Sequence, residues 1–161
     1  MKTRILFLTI LFLLMVPVLA LGNPFVKLND KQSLGLTIYL EARGESEMGK
    51  VAVGSVILNR VTEGYGNSIK GVVFAPRQFS CFNSDDIQYD RATWIAKNWK
   101  FAYQNLRSLR ECYAVALALI EGTMDSFLKL GVTHFKTVKC SASWAKKMRL
   151  IATIGAHEFY A

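Results

Sequence analysis

Residues 39–61 read YLEARGESEMGKVAVGSVILNRV, and their pattern sets up the rest of the chain. A helix is expected to end in this stretch and a second to begin. Upstream, Asn29 or Asp30 offers an N-cap. Leu34, Ile38 and Glu41 then follow at spacings of four and three, which puts all three on one helical face. Gly44 is a natural stop. The second helix is expected from Glu47 to about Val61. It is apolar on most sides, so it reads as the buried central helix. Gly49, Gly54 and Ser55 would let a neighbouring helix come close, and Asn59, Arg60, Gly64 and Gly66 would end it.

Glu41 carries the chemical interest of this pattern. A carboxylate on an apolar helical face is costly when ionised, so burial should raise its pKa and keep it protonated near neutral pH. A protonated carboxyl in an apolar setting is what general-acid cleavage of a glycosidic bond requires. The competing reading makes Glu41 an ordinary last-turn residue paired with Arg43 or Lys50. Glu45 and Glu47 lie near the start of the second helix, where the helix dipole alone favours an acid. Asp85, Asp86 and Asp90 are loop acids among which a second catalytic carboxylate could sit. Phosphate-binding glycine loops, H-E-x-x-H and G-x-S-x-G are absent. So is the acid spacing of phage-type lysozymes, because Lys50 stands nine positions after Glu41.

Downstream, Ser68–Phe74 reads as a short helix broken by Pro76. Gln78–Phe82 reads as a strand or hairpin arm and Asp85–Arg91 as a polar loop. Thr93–Leu109 carries an apolar stripe of Ile95, Trp99, Ala102, Leu106 and Leu109, and a further helix runs from Glu111 to Ile120. Gly131–Lys136 suggests a strand or turn, and Ser143–Ile154 a last helix. The sum is an α+β chain, mainly helical, with one small β element.

The first 22 residues stand apart. Lys2 and Arg4 precede an apolar run from Ile5 to Val16, then Pro17, Ala20 and Gly22. This is the layout of a secretory signal peptide; a retained membrane anchor is the alternative. The leader explains why 161 residues that are 52% hydrophobic have a mean hydropathy of +0.22. It also holds two of the cations, so residues 23–161 carry +6 of the total +8. A basic exported domain suits anionic wall polymers better than nucleic acid. This composition excludes a disordered or collagen-like chain. With three cysteines, one pair could form in an oxidising compartment, and Cys81 and Cys140, in loop-like surroundings, suit it best. Cys112 sits in an apolar helical pattern as a buried thiol. A zinc site from Cys81, Cys140, His134 and His157 lacks a closely spaced ligand pair, so no metal and no cofactor is expected.

Glu41–Glu45 (EARGE), Gly49–Val53 (GKVAV) and Val56–Val61 (VILNRV) resemble the bacterial and phage cell-wall hydrolases related to spore cortex-lytic enzymes. The resemblance continues through Gly71–Phe74, Gln78–Cys81, Gly131–Phe135, Ser143–Lys146 and Ile154–Tyr160. It covers about Leu34 to Tyr160; Asn83–Arg110 is its least familiar part. It implies a lysozyme-like fold whose groove binds peptidoglycan glycan strands, with a small β-hairpin beside it. It also implies that Glu41 is the catalytic acid of a lytic transglycosylase. The strand would be cut between N-acetylmuramic acid and N-acetylglucosamine without water. Glu41 would protonate the leaving oxygen and then deprotonate the muramyl 6-hydroxyl as it attacks C1. That scheme needs one carboxylate, whereas a hydrolytic muramidase usually needs a second group. A hydrolytic muramidase or endolysin and a non-catalytic peptidoglycan-binding module are the alternatives.

Substrate-contact candidates are Tyr39, Glu45, Gln78, Phe79, His134 and Trp144. For Tyr39, His134 and Trp144 structural packing is the competing reading; Glu45 has the helix-dipole reading given above. Trp94 and Trp99 read as packing residues and His157 as structural. The expected protein is an exported monomer that meets a membrane only if its leader is retained.

Overall fold

The computed structural model describes residues 23–126 and 128–161; the leader reading falls outside them. Helix α1, Asp30–Ala42, begins at a full capping box. The Asn29 side chain accepts from the Gln32 amide at 2.9 Å, and the Gln32 side chain accepts from the Asn29 amide at 3.0 Å. Helix α2, Glu47–Thr62, follows after a four-residue turn and is capped by Ser46. Helix α3 is Ile69–Val73, α4 Tyr89–Lys97, α5 Trp99–Asn105 and α6 Arg107–Ile120. Strands β1 (His134–Thr137), β2 (Leu150–Ile154) and β3 (His157–Tyr160) form one antiparallel sheet in the order β1-β3-β2. The expected α+β, mainly helical class is borne out.

Helix α1 is as central as α2. It packs against α2, α3 and α6, and every residue from Ser33 to Leu40 is buried. Its polar residues hide this in the sequence, because their hydroxyls bond within the helix. Ser33 donates to the Asn29 carbonyl and Thr37 to the Ser33 carbonyl, both at 2.8 Å. Buried hydroxyls satisfied in this way escape the desolvation cost that would otherwise exclude them. Gly54 marks the place where three helices meet. A Cβ there would lie 2.5 Å from Leu119 Cδ1 and 3.0 Å from Ile38 Cδ1, which bears out the close approach expected of this glycine.

Three expected elements need correction. The single helix Thr93–Leu109 is broken twice, at Asn98 and at Leu106. Asn98 turns its side chain back to the Trp94 carbonyl at 2.9 Å and closes α4; Leu106 is extended between α5 and α6. The expected helix Ser143–Ile154 is a short 3₁₀ turn, Ser143–Lys147, followed by strand β2. Pairing with β3 decides this: Ile154 faces His157 across a two-residue connection in which Gly155 has φ +57°, as a tight hairpin turn requires. The small β element therefore gathers at the C-terminal end of the chain. Gln78–Phe82 is not a hairpin arm but a turn containing the 3₁₀ segment Ser80–Phe82. Its alternation is real in burial, since Phe79 and Cys81 point inward.

That turn is held by a ring cluster. Phe25 stacks on Phe74 at 5.1 Å between centroids and meets Phe82 edge-on at 5.0 Å, and Phe74 meets Phe82 at 4.8 Å. All three cysteines are free: Cys81 and Cys112 are buried and Cys140 is exposed. The expected Cys81–Cys140 bond is not made, because Cys81 is enclosed in the core while Cys140 lies on the turn after β1. Among the described residues no three His, Cys, Asp or Glu side chains group as a metal site would need. No helix among them is long and apolar enough to cross a membrane. Trp94 departs from the packing role expected of it, being 45% exposed against Phe101; Trp99 does pack on the core.

Candidate active site

Glu41 occupies the last turn of α1, one turn beyond the fully buried Ile38. It is half-buried. Burial pushes its pKa above the ordinary 4.5, and nearby Asp86 pushes the same way. The Cys81 thiol, hydrogen-bonded to the carboxyl, and the Arg60 guanidinium pull it down by a lesser amount. The Cys81 thiol is itself pushed far up by burial and by Glu41, so it stays an S–H donor. Neither ion pair of the competing reading forms. Arg43 donates to Gln88 at 2.8 Å and lies over the Tyr39 ring, while Lys50 pairs with Glu111 at 3.3 Å.

Arg60 organises the surroundings. It sits near the end of α2, 7% exposed. Its Nε donates to the Thr133 carbonyl at 2.7 Å and its Nη1 to Gln78 Oε1 at 3.4 Å. Its guanidinium lies 5.1 Å from the Phe79 ring centroid and 6.0 Å from that of Tyr65. One charged side chain thereby ties α2 to the Gln78–Phe79 turn and to the start of β1.

His134 opens β1. Its Nδ1 is 2.9 Å from Thr133 Oγ1, and burial together with Arg60 lowers its pKa, favouring the neutral ring. The ring lies between Tyr65 at 6.3 Å and Trp144 at 5.2 Å, and Trp144 packs on Tyr160 at 5.4 Å. The half-exposed Tyr65 and the half-buried Trp144 flank His134 as an aromatic wall. The Arg60 charge acts on both Glu41 and His134, and His134 packs on Trp144.

The structure thus gathers Glu41, Gln78, His134 and Trp144 around Arg60, and withdraws three other candidates from substrate contact. Phe79 is 4% exposed; it is the platform under Arg60, not a ring open to a sugar. Tyr39 is 2% exposed, with its hydroxyl accepting from Arg91 at 3.2 Å. Its position two residues before Glu41 turns it to a different helical face. Glu45 is a tie between turns: its Oε2 accepts from the Ala156 amide at 3.1 Å, and its Oε1 lies 3.8 Å from Nδ1 of the buried His157. Glu45 also lies beside the first turn of α2, one residue before the N-cap Ser46, where the helix-dipole reading put it. Arg60 was not singled out by sequence reasoning as a site residue, whereas Asp86 was one of three loop acids offered for a second carboxylate and is the one that bears on Glu41. A lone cation inside the apolar run Val56–Val61 was the available signal for Arg60; nothing local told Asp86 from Asp85 and Asp90.

The Glu45 tie makes a specific prediction. A Cβ at Gly155 would fall 1.8 Å from Glu45 Oε2, at a backbone φ of +57°. Gly64 has φ +82° with nothing near its Cβ position. Gly64→Ala is expected to cost about 1 kcal/mol from the left-handed backbone alone. Gly155→Ala is expected to cost about 2–3 kcal/mol, because the Glu45 carboxylate must also leave the turn amide. Chemical denaturation of the two variants checks the ordering.

A cell wall hydrolase family model matches residues 44–160. The chain belongs to the cell wall hydrolase family. The match begins three residues after Glu41, so membership does not itself assign that residue. A spore cortex-lytic enzyme of Bacillus cereus is 49% identical over 53 residues, 32% of this chain and 20% of the relative. One from Oceanobacillus iheyensis is 38% identical over 73 residues, 45% of this chain and 24% of the relative. The chain therefore matches about a fifth to a quarter of the length of these curated relatives. Among solved structures, the catalytic domain of the germination-specific lytic transglycosylase SleB from Bacillus anthracis superposes with a TM-score of 0.60 at 27% identity. That match covers 91% of this chain and 100% of the domain. The catalytic domain of the Bacillus cereus SleB protein gives a TM-score of 0.55 at 25% identity, covering 82% and 89%. This family's fold is therefore shared across nearly the whole described chain, and the lysozyme-like expectation is met.

Proposed function

We propose that this domain degrades peptidoglycan by cutting the glycan strand between N-acetylmuramic acid and N-acetylglucosamine, as a lytic transglycosylase with Glu41 as general acid and then general base. The observation that carries the reading is Glu41 itself: a half-buried carboxyl, without the Arg43 or Lys50 pair, whose pKa is raised chiefly by burial. Such a group holds its proton until the glycosidic oxygen needs it. As the bond breaks, the ionised Glu41 is stabilised by the nearby Arg60 charge and the Cys81 S–H. It then takes the proton of the muramyl 6-hydroxyl, which closes on C1. His134, Trp144, Tyr65 and Gln78 line the path of the strand. The domain spans residues 23–161 and acts outside the cytoplasm as a monomer, with residues 1–22 as its export signal.

Purified peptidoglycan digested with the protein tests the activity. Soluble muropeptides are expected; binding to the wall with no release would make the domain a non-catalytic wall-binding module. Asp86 supports a second reading. It is close enough to raise the Glu41 pKa, and its Oδ1 is anchored by the Gln88 amide at 2.8 Å. In a hydrolytic muramidase it would activate water. Asp86→Asn separates the two. Transglycosylation should survive, with the alkaline limb of its pH profile moved down because a charge that raises the Glu41 pKa is gone. Hydrolysis should fall by about 10²-fold or more.

A further inference from the structure

Next to Tyr160, which packs on Trp144, lies a depression of about 420 Å³ lined by Lys136, Val138, Lys139, Ser141, Lys146 and Tyr160 among others. Lys136 is held by Glu158, which also accepts from the Tyr160 hydroxyl at 2.6 Å. Lys139 and Lys146 are exposed and engage in no ion pair among the described residues. The depression thus combines two unneutralised ammonium groups, the Ser141 hydroxyl and an apolar wall. We infer that this depression is an anion-binding subsite for the free carboxylates of the peptide stems carried by the glycan strand.

The location selects the occupant. Tyr160 lines the depression and packs on Trp144, which packs on His134, so the depression continues the aromatic row that flanks His134. A substituent hanging from a strand that lies along that row would reach it. In peptidoglycan the substituents that do so are the peptide stems on the muramic acids, which carry carboxylates and small apolar side chains. Lysine heads on flexible stems suit such groups, which need charge without a fixed geometry. This subsite rests on peptidoglycan being the substrate.

The test is binding, so it stands apart from cleavage. The full protein is titrated with a muramyl peptide bearing free carboxylates and with its amidated counterpart, followed by NMR shift changes. The free-carboxylate peptide is expected to bind with an affinity that falls as salt rises and to bind more tightly than the amidated one. Lys139→Ala/Lys146→Ala is expected to weaken it by about fivefold, while Lys97→Ala, an exposed lysine on α4, leaves it unchanged. Equal binding of the two peptides, an unaffected double variant, or binding of poly(glycerol phosphate) in preference to the peptide would overturn the assignment. A protein that binds the peptide but cleaves no glycan would keep this subsite and lose the proposed activity.

Discussion

Glu41→Gln is expected to lower the rate of glycan cleavage by about 10³-fold or more, because one side chain is asked to serve as acid and then as base. Glutamine keeps the shape and the hydrogen-bonding reach of the carboxyl and removes its titration. The circular dichroism spectrum should be unchanged. Stability should respond in the opposite direction to activity. The folded pKa of Glu41 lies above the ordinary 4.5. Its contribution to stability is therefore fully present below 4.5 and is lost as pH rises through the folded value. Glutamine carries no such penalty. Thermal midpoints of wild type and variant should therefore diverge in favour of the variant as pH rises above 4.5. Wild-type activity should fall over the same window, since the acid form is the active one. A variant that cleaves at the wild-type rate would remove Glu41 from the mechanism.

Arg60→Met is expected to have the largest effect on stability, about 3 kcal/mol. The Thr133 carbonyl loses its buried donor, worth about 1–3 kcal/mol, and the Phe79 and Tyr65 faces lose a cation worth about 0.5–2 kcal/mol. The same change should mark the active site. Arg60 holds the Glu41 pKa down, so its loss should move the alkaline limb of the pH–rate profile upward. A purely structural arginine would lower stability and leave that limb where it is. Denaturant melts and a pH–rate profile, taken at a temperature where both proteins are folded, separate the outcomes.

The helical half of the molecule was legible because its signals are local. Asn29 and Ser68 cap their helices as their residue types suggest, and Leu34, Ile38 and Glu41 fall on one face with the expected consequence for Glu41. The C-terminal third was not, because long-range pairing decides it. Leu150–Ile154 is apolar enough for a helix and becomes a strand only when β3 lies beside it. Glu45 illustrates the same limit at the site. Its partner, the Ala156 amide, lies 111 residues away, and no spacing within EARGE announces it. Phe79 and Tyr39 were expected to contact substrate and are buried instead, because sequence cannot tell a ring packed in the core from a ring facing a groove.

In the mechanism proposed for this domain a single carboxyl, Glu41, cuts the strand and closes the muramyl ring without water. Digestion of peptidoglycan in H₂¹⁸O, followed by mass spectrometry of the released muropeptides, tests it most directly. The expected products are 1,6-anhydromuramyl ends with no ¹⁸O incorporated; reducing muramic ends carrying one ¹⁸O would rule out transglycosylation and make the enzyme a hydrolase.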